Sequence, residues 1–229
     1  MMRIAGVVLT LGYYLSMLIL FGNYAAKVVI WTKSKPLNEK VFRKSSLKAL
    51  VLAVCDVLSF RRLLIANDLL WIGEWIFHLS FVFVLLRHLR YFLNPVPQWV
   101  WGLQPAGIIA GYILPVSLIY ILAVKFIVEK KKYVSNSNFL LLALILALSL
   151  SGLLMKTIFH PDLISVKTFV IGMTTFTFAA VPAGALFILH FILFLALIVN
   201  LPTHIFAAPL SLVSAREREA RINQVIHEK

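Results

Sequence analysis

Residues 78–97 read HLSFVFVLLRHLRYFLNPVP and residues 189–209 read LHFILFLALIVNLPTHIFAAP. Each is an apolar run that carries two histidines and ends on proline, and Arg87 and Arg90 are the only other charged groups in either. Runs of about 18 residues or more with so little charge are long enough to cross a hydrocarbon core of roughly 30 Å. An ionisable side chain inside such a run is costly and is by default a functional group. Fold and site are therefore read from the same two stretches.

The rest of the chain agrees with a membrane reading. It has 229 residues, of which 61% are hydrophobic and 14% charged, and a mean hydropathy of +0.93. Soluble domains lie nearer 45–50% apolar and roughly 25% charged, so a water-soluble domain is excluded. The net charge of +13 does not point to nucleic acid. Its lysines and arginines cluster between apolar runs instead of lining one face, which is the positive-inside pattern. Cys55 is the single cysteine, so an internal disulfide or a cysteine-ligated cluster within this chain is ruled out, and iron-sulfur chemistry would belong to a partner. Arg3 precedes a long apolar stretch with no small-residue cleavage site, so a retained first helix is expected, with a cleaved signal peptide as the alternative.

The expected fold is all-α, an integral membrane bundle of five transmembrane helices. The first covers about residues 4–31 and ends at Lys33, Lys35 and Pro36. The segment from Lys33 to Asp68 flanks an apolar patch, Ala49–Phe60, with basic residues; a cationic amphipathic element on the cytoplasmic bilayer surface fits it, and a re-entrant hairpin is the alternative. The second helix spans 69–92 and is stopped by Asn94, Pro95 and Pro97, since proline cannot continue a helix. The third spans 105–128 and the fourth 139–155. The apolar stretch from Thr168 to Ala208 is too long for one straight crossing at about 1.5 Å per residue. Pro182 suits a helix start, so 163–181 is expected as an interfacial or partly inserted element and 182–206 as the fifth helix. Residues 1–210 then form the membrane domain, and 211–229 a charged cytoplasmic tail that is a solvated helix or frayed end. With the N-terminus outside and the C-terminus inside, the cytoplasmic side receives 16 basic residues and the other side five, which supports that orientation.

Four histidines lie in the second and fifth helices. At about 100° per residue, His78 and His88 stand roughly 80° apart around their axis, and His190 and His204 roughly 40°. Each pair can face one interior groove. Two crossings separate these helices, so they run antiparallel. His78 and His204 then lie near the cytoplasmic face, and His88 and His190 nearer the outside. Two cross-helix pairs stacked by roughly 15–21 Å are the arrangement that two bis-histidine b haems require, with imidazole a suitable iron ligand. A lone histidine in such a place is as readily a satisfied polar group; depth-matched pairs are harder to explain that way. Structural zinc would need four ligands at one centre, and these pairs lie too far apart. His160 and His227 are expected to be solvated.

Arg87 and Arg90 flank His88 and could bind haem propionates through charge-assisted hydrogen bonds, or simply anchor the helix at the interface. Glu74, one turn before His78, could accept a proton from the imidazole, carry protons for a quinone, or be an interfacial carboxylate. Trp71, Trp75, Trp99 and Trp101 fit an aromatic belt. A small proton-relaying transporter would more often show inverted repeats or broken helices, and none is evident. A haem-free membrane anchor shares the same topology.

The two quoted runs resemble the membrane cytochrome b (gamma) subunit of respiratory nitrate reductase. The His78-to-His88 spacing is similar to that family's, and the His-Ile-aromatic-x-x-Pro run at His204 is similar to its fifth helix, while the His190-to-His204 interval is one helical turn shorter. The long basic segment between the first two helices is closer to the branch found in sulfite-reduction-associated and heterodisulfide-reductase-like respiratory complexes. The resemblance implies a subunit of the prokaryotic cytoplasmic membrane that exchanges electrons between menaquinone and a cytoplasmic iron-sulfur partner, heterodisulfide-reductase-like or ferredoxin-like. Further membrane or extracytoplasmic redox subunits are compatible with it. A quinone pocket is expected near the outer haem, between the loop Asn94–Gln104 and the element 163–181, with Gln104, Lys156 and His160 as candidates. Nitrate reductase relatives use a lysine near the start of the third helix, and this chain has none there.

Overall fold

The computed structural model describes residues 2–33, 51–128, 136–205 and, in the tail, 215, 216, 218, 219 and 222, with the backbone alone at 31, 32 and 202–205. Every regular element among them is helical. In chain order these are α1 (Met2–Lys33), α2 (51–59), α3 (Arg61–Ala66), α4 (Asp68–Phe92), α5 (Gln98–Gly102), α6 (Gln104–Ala123), α7 (Asn136–Thr157), α8 (Leu163–Thr174) and α9 (Ala185–Ile205). A π-helical turn, Val124–Val128, continues α6.

Among the described residues four helices are long and apolar enough to cross a bilayer: Met2–Ile30, Asp68–Phe92, Gln104–Val128 and Asn136–Thr157. The stretches Leu163–Thr174 and Ala185–Leu201 are shorter apolar helices. The expected boundaries of the second, third and fourth spans agree with α4, α6 with its π turn, and α7, because proline, asparagine or charge punctuates each one. The last helix starts later than expected. Pro182 does not open α9 but is buried in the irregular stretch before it, where the neighbouring Val181 amide donates to the Met2 carbonyl at 3.3 Å. Gly184, at φ 126°, makes the turn into the helix, a backbone conformation that glycine adopts at little cost.

The chain divides into two compact units. The first holds residues 1–16 and 69–198. Here α4 and α6 run antiparallel in close contact. A Cβ on Gly107 would lie 2.7 Å from Arg87 Cβ, and one on Gly73 would lie 2.7 Å from the Tyr120 ring. The Tyr120 hydroxyl donates to the Leu69 carbonyl at 3.1 Å. The first half of α1 follows the loop before α9 and then α9 itself, with Gly6 against the Ala179 carbonyl and Gly12 against Leu195. Leu9, Phe169, Val170, Met173, Phe187 and Phe191 form the core where α1, α8 and α9 meet, and Phe169 packs edge-on against both Phe187 and Phe191. α8 is capped by Asp162, whose carboxylate accepts the Ile164 and Ser165 amides and the Ser165 hydroxyl. These hydrogen bonds, led by the Ser165 hydroxyl, hold its pKa below the ordinary carboxylate value.

The second unit holds residues 17–68 and 199–229. Asp56 on α2 is buried and accepts Arg216 Nε at 2.8 Å and Nη2 at 2.6 Å. Glu219 joins Arg62 at 2.7 Å and Arg216 at 3.0 Å. The described part of the tail is thus tied by charge to α2 and α3, not merely solvated. Residues 34–50, the first half of the expected amphipathic segment, lie outside the described residues, as does His227.

Candidate functional site

His78 and His88 stand on α4, and His190 and His204 on α9. The Nδ1 atom of His88 lies 2.6 Å from the Val84 carbonyl, and that of His78 lies 2.7 Å from the Glu74 carbonyl. Each acceptor is one turn back on the same helix. A carbonyl can only accept, so both rings carry their proton on Nδ1 and their lone pair on Nε2.

His190 reaches the same tautomer by another route. Its Nδ1 lies 2.9 Å from Ser151 Oγ on α7, and that hydroxyl gives its own hydrogen to the Leu148 carbonyl at 2.9 Å. With the hydroxyl hydrogen on that carbonyl, His190 Nδ1 is the donor to Ser151. Gly152, the next residue, lies under the imidazole: a Cβ there would sit 3.2 Å from His190 Cε1.

His88 on α4 and His190 on α9 both belong to the first unit. His204 falls in the last turn of α9 and its side chain lies outside the described residues. His78 has a charged neighbourhood of its own. Glu74 Oε2 lies 3.6 Å from its Nδ1, and Glu74 Oε1 lies 3.9 Å from Lys125 Nζ on the π turn. π turns inside helices often occur at functional sites. Lys125 was counted at sequence level only among the cytoplasmic basic residues; its link to Glu74 depends on α4 and α6 running antiparallel.

Arg87 and Arg90 lie within electrostatic reach of His88. Both donate to Gln104 Oε1, Arg87 Nε at 3.3 Å and Arg90 Nη1 at 3.2 Å, and Gln104 in turn donates to the Val100 carbonyl. Arg90 also bonds the Tyr91 hydroxyl, while its Nε is buried with no hydrogen-bond partner. The three expected quinone residues are not treated alike by the fold. Gln104 is half-buried between the two arginines, whereas Lys156 and His160 are exposed at and beyond the end of α7. The two elements expected to flank the pocket do meet, through Lys167 Nζ and Asn94 Oδ1 at 3.5 Å.

These residues fit a haem on three counts. Imidazoles with a buried, anchored Nδ1–H and an Nε2 lone pair are the ligand form iron needs, and the acceptor at Nδ1 fixes ring orientation. His88 and His190 are half-buried, not sealed. The orphaned Arg90 Nε is a buried donor lacking an acceptor, and a propionate oxygen is an acceptor of suitable charge. No group of three or more His, Cys, Asp or Glu side chains that could hold a metal ion by themselves lies together among the described residues.

Two curated relatives are similar to part of the chain. The Hdr-like menaquinol oxidoreductase cytochrome b-like subunit of Archaeoglobus profundus is 33% identical over 119 residues, which cover 47% of this chain and 35% of the relative. Its namesake from Archaeoglobus fulgidus is 30% identical over 118 residues, covering 47% of this chain and 36% of the relative. The chain thus spans little more than a third of the length of the curated relatives it matches. They support the heterodisulfide-reductase-like branch of the resemblance, not its nitrate reductase gamma half. No protein-family model matches the chain, and no solved structure does.

Proposed function

We propose that the chain is a membrane cytochrome b subunit of a respiratory redox complex in a prokaryotic cytoplasmic membrane. It exchanges electrons between the menaquinone pool and a cytoplasmic iron-sulfur partner. The observation that carries this reading is the placement of His78, His88 and His190 on two apolar helices, each with its Nδ1 held by a hydrogen-bond partner. The names of the relatives support the membrane redox role and menaquinone as the redox partner.

On this reading α9 is the fifth crossing, the orientation is N-out and C-in, residues 1–210 form the membrane domain, and the charged residues 211–229 face the cytoplasm. Two b haems would supply one-electron transfer across the bilayer, ligated by His88 with His190 on the outer side and by His78 with His204 on the inner side. The chain's own residues bind and tune. Val84, Glu74 and Ser151 orient the imidazoles, and Arg87 and Arg90 offer guanidinium donors to propionates, with Gln104 holding both arginines in place. The quinone face lies where the Asn94–Gln104 loop meets α8, on the outer side. Gln104, Lys156 and His160 remain the residues to vary there, and Lys167, which spans the two elements, joins them.

The test is to purify the chain in detergent, add a reduced menaquinone analogue anaerobically and follow the b-haem α band. Reduction of the band by the quinol, abolished in the His88→Ala variant, is the expected result. A preparation without any b-haem spectrum would reduce the chain to a membrane anchor.

A further inference from the structure

The three described histidines of the site share a tautomer but not its source. His78 and His88 take their Nδ1 acceptor from the carbonyl one turn back on α4. The Nδ1 of His190 faces the Ser151 hydroxyl on α7 instead of a carbonyl of its own helix. Ser151 is buried, 4% exposed, and sits on a helix otherwise rich in leucine. Its Oγ lies 2.9 Å from both the Leu148 carbonyl and His190 Nδ1, so a hydroxyl hydrogen on the carbonyl turns a lone pair toward the ring. Beside it, Gly152 leaves only the space of a hydrogen atom under the ring, since a Cβ would stand 3.2 Å from Cε1. One residue orients the imidazole and the next leaves room for it.

We propose that the Ser151–Gly152 step of α7 is the positioning element for His190, and that the Ser151 hydroxyl sets the redox potential of the outer haem. This rests on the haem reading above. The physical chain is short. An acceptor at Nδ1–H increases the electron donation of the imidazole through Nε2, and a more basic ligand favours ferric over ferrous iron. The hydroxyl therefore holds the outer potential down. Because the acceptor comes from a different helix, any movement of α7 against α9 changes ligand strength at the outer site. His78 and His88 have no such dependence, since their carbonyl acceptors move with them.

The experiment is a potentiometric titration with low-temperature EPR on purified wild type, Ser151→Ala and Ser151→Thr, alongside a pyridine haemochrome count. Each variant is also made in the His88→Ala background, where the outer haem is lost. Ser151→Ala is expected to retain both haems, with the outer midpoint shifted upward and its low-spin ferric signal displaced. The inner haem stays as in wild type, Ser151→Thr lies close to wild type, and Ser151→Ala has no effect in the His88→Ala background. A Ser151→Ala protein with two haems and both potentials and spectra unchanged overturns the inference and leaves the haem reading standing. A shift that persists without the outer haem also overturns it. Wild type lacking haem overturns both.

Discussion

The surroundings of His88 and His78 differ although the two residues share one helix. His88 is flanked on α4 by two arginines, which a glutamine of α6 holds. Beside His78 lie a carboxylate and, behind it, a lysine. An imidazole next to a carboxylate is a stronger donor to iron than one next to guanidinium groups. The lesson is that one sequence motif, two histidines on an apolar helix, does not make two equivalent sites. The neighbouring helices make them different, α9 and α7 at one end and the π turn after α6 at the other.

The comparison breaks most severely at the ligands. His88→Ala is expected to remove the outer haem completely and leave the inner one, so a haemochrome count of the purified variant falls by half. If His88→Ala keeps full haem content, the outer pair is wrong. Next come the arginines. Replacing Arg90 by Leu removes a charged donor whose bonds are typically worth about 1.5–3 kcal/mol. Roughly 10- to 100-fold weaker retention of the outer haem should follow in a haem-transfer assay, with the inner haem unaffected. Equal loss of both haems would mean that the arginine supports the bundle and not the site.

A packing substitution sharpens the contrast between helix contact and ligand. Gly107→Ala places a methyl against Arg87, where a Cβ would lie 2.7 Å from Arg87 Cβ and 3.1 Å from the Phe83 carbonyl. Overpacking of this kind costs about 1–3 kcal/mol. It should lower the melting temperature in detergent and shift the outer haem spectrum more than the inner one. At the inner end, Glu74→Gln keeps the backbone carbonyl acceptor of His78 but removes the carboxylate charge, so the inner midpoint should rise while the outer stays. A redox titration reads this directly, and an unchanged inner midpoint would make Glu74 an ordinary interfacial group.

The smallest effect expected is at α8. The folded state holds Asp162 below the ordinary carboxylate value. Its capping contribution is therefore complete above that value and fades as pH falls through the lowered one. Protection factors at the first turn of α8, corrected for the intrinsic pH dependence of amide exchange, should fall over that acid window in wild type. They should be constant there in Asp162→Asn, because asparagine caps as well but does not titrate. Identical profiles would remove the carboxylate from the account of α8.

Much of this architecture was legible from residue types alone. The ends of α4, α6 and α7 follow from Asn94, Pro95, the lysines after Val128 and the polar start at Asn136, each of which a helix in lipid cannot bury cheaply. The start of α9 was misread because Pro182 has the local chemistry of a first helical turn, whereas its burial against the N-terminal helix is a tertiary fact. His88 and His190 stood out because imidazoles in apolar runs are costly. Ser151, Gly152 and Lys125 did not, since a serine in a leucine-rich helix is unremarked until its partner is known. The Ser-Gly step at 151–152 is a small-residue break in that helix and was the one available signal. Gln104, expected at a quinone, also holds Arg87 and Arg90, a role that needs α4 and α6 to be antiparallel before it can be seen.

The most direct measurement is a pyridine haemochrome count on purified wild type, His88→Ala and His204→Ala, with dithionite-reduced minus oxidised spectra. The account predicts about two b haems per chain in wild type. His88→Ala should lose the haem whose spectrum responds to Ser151→Ala, and His204→Ala the one that responds to Glu74→Gln. Wild-type protein with no haem, or both variants losing the same one, would contradict the paired-histidine account.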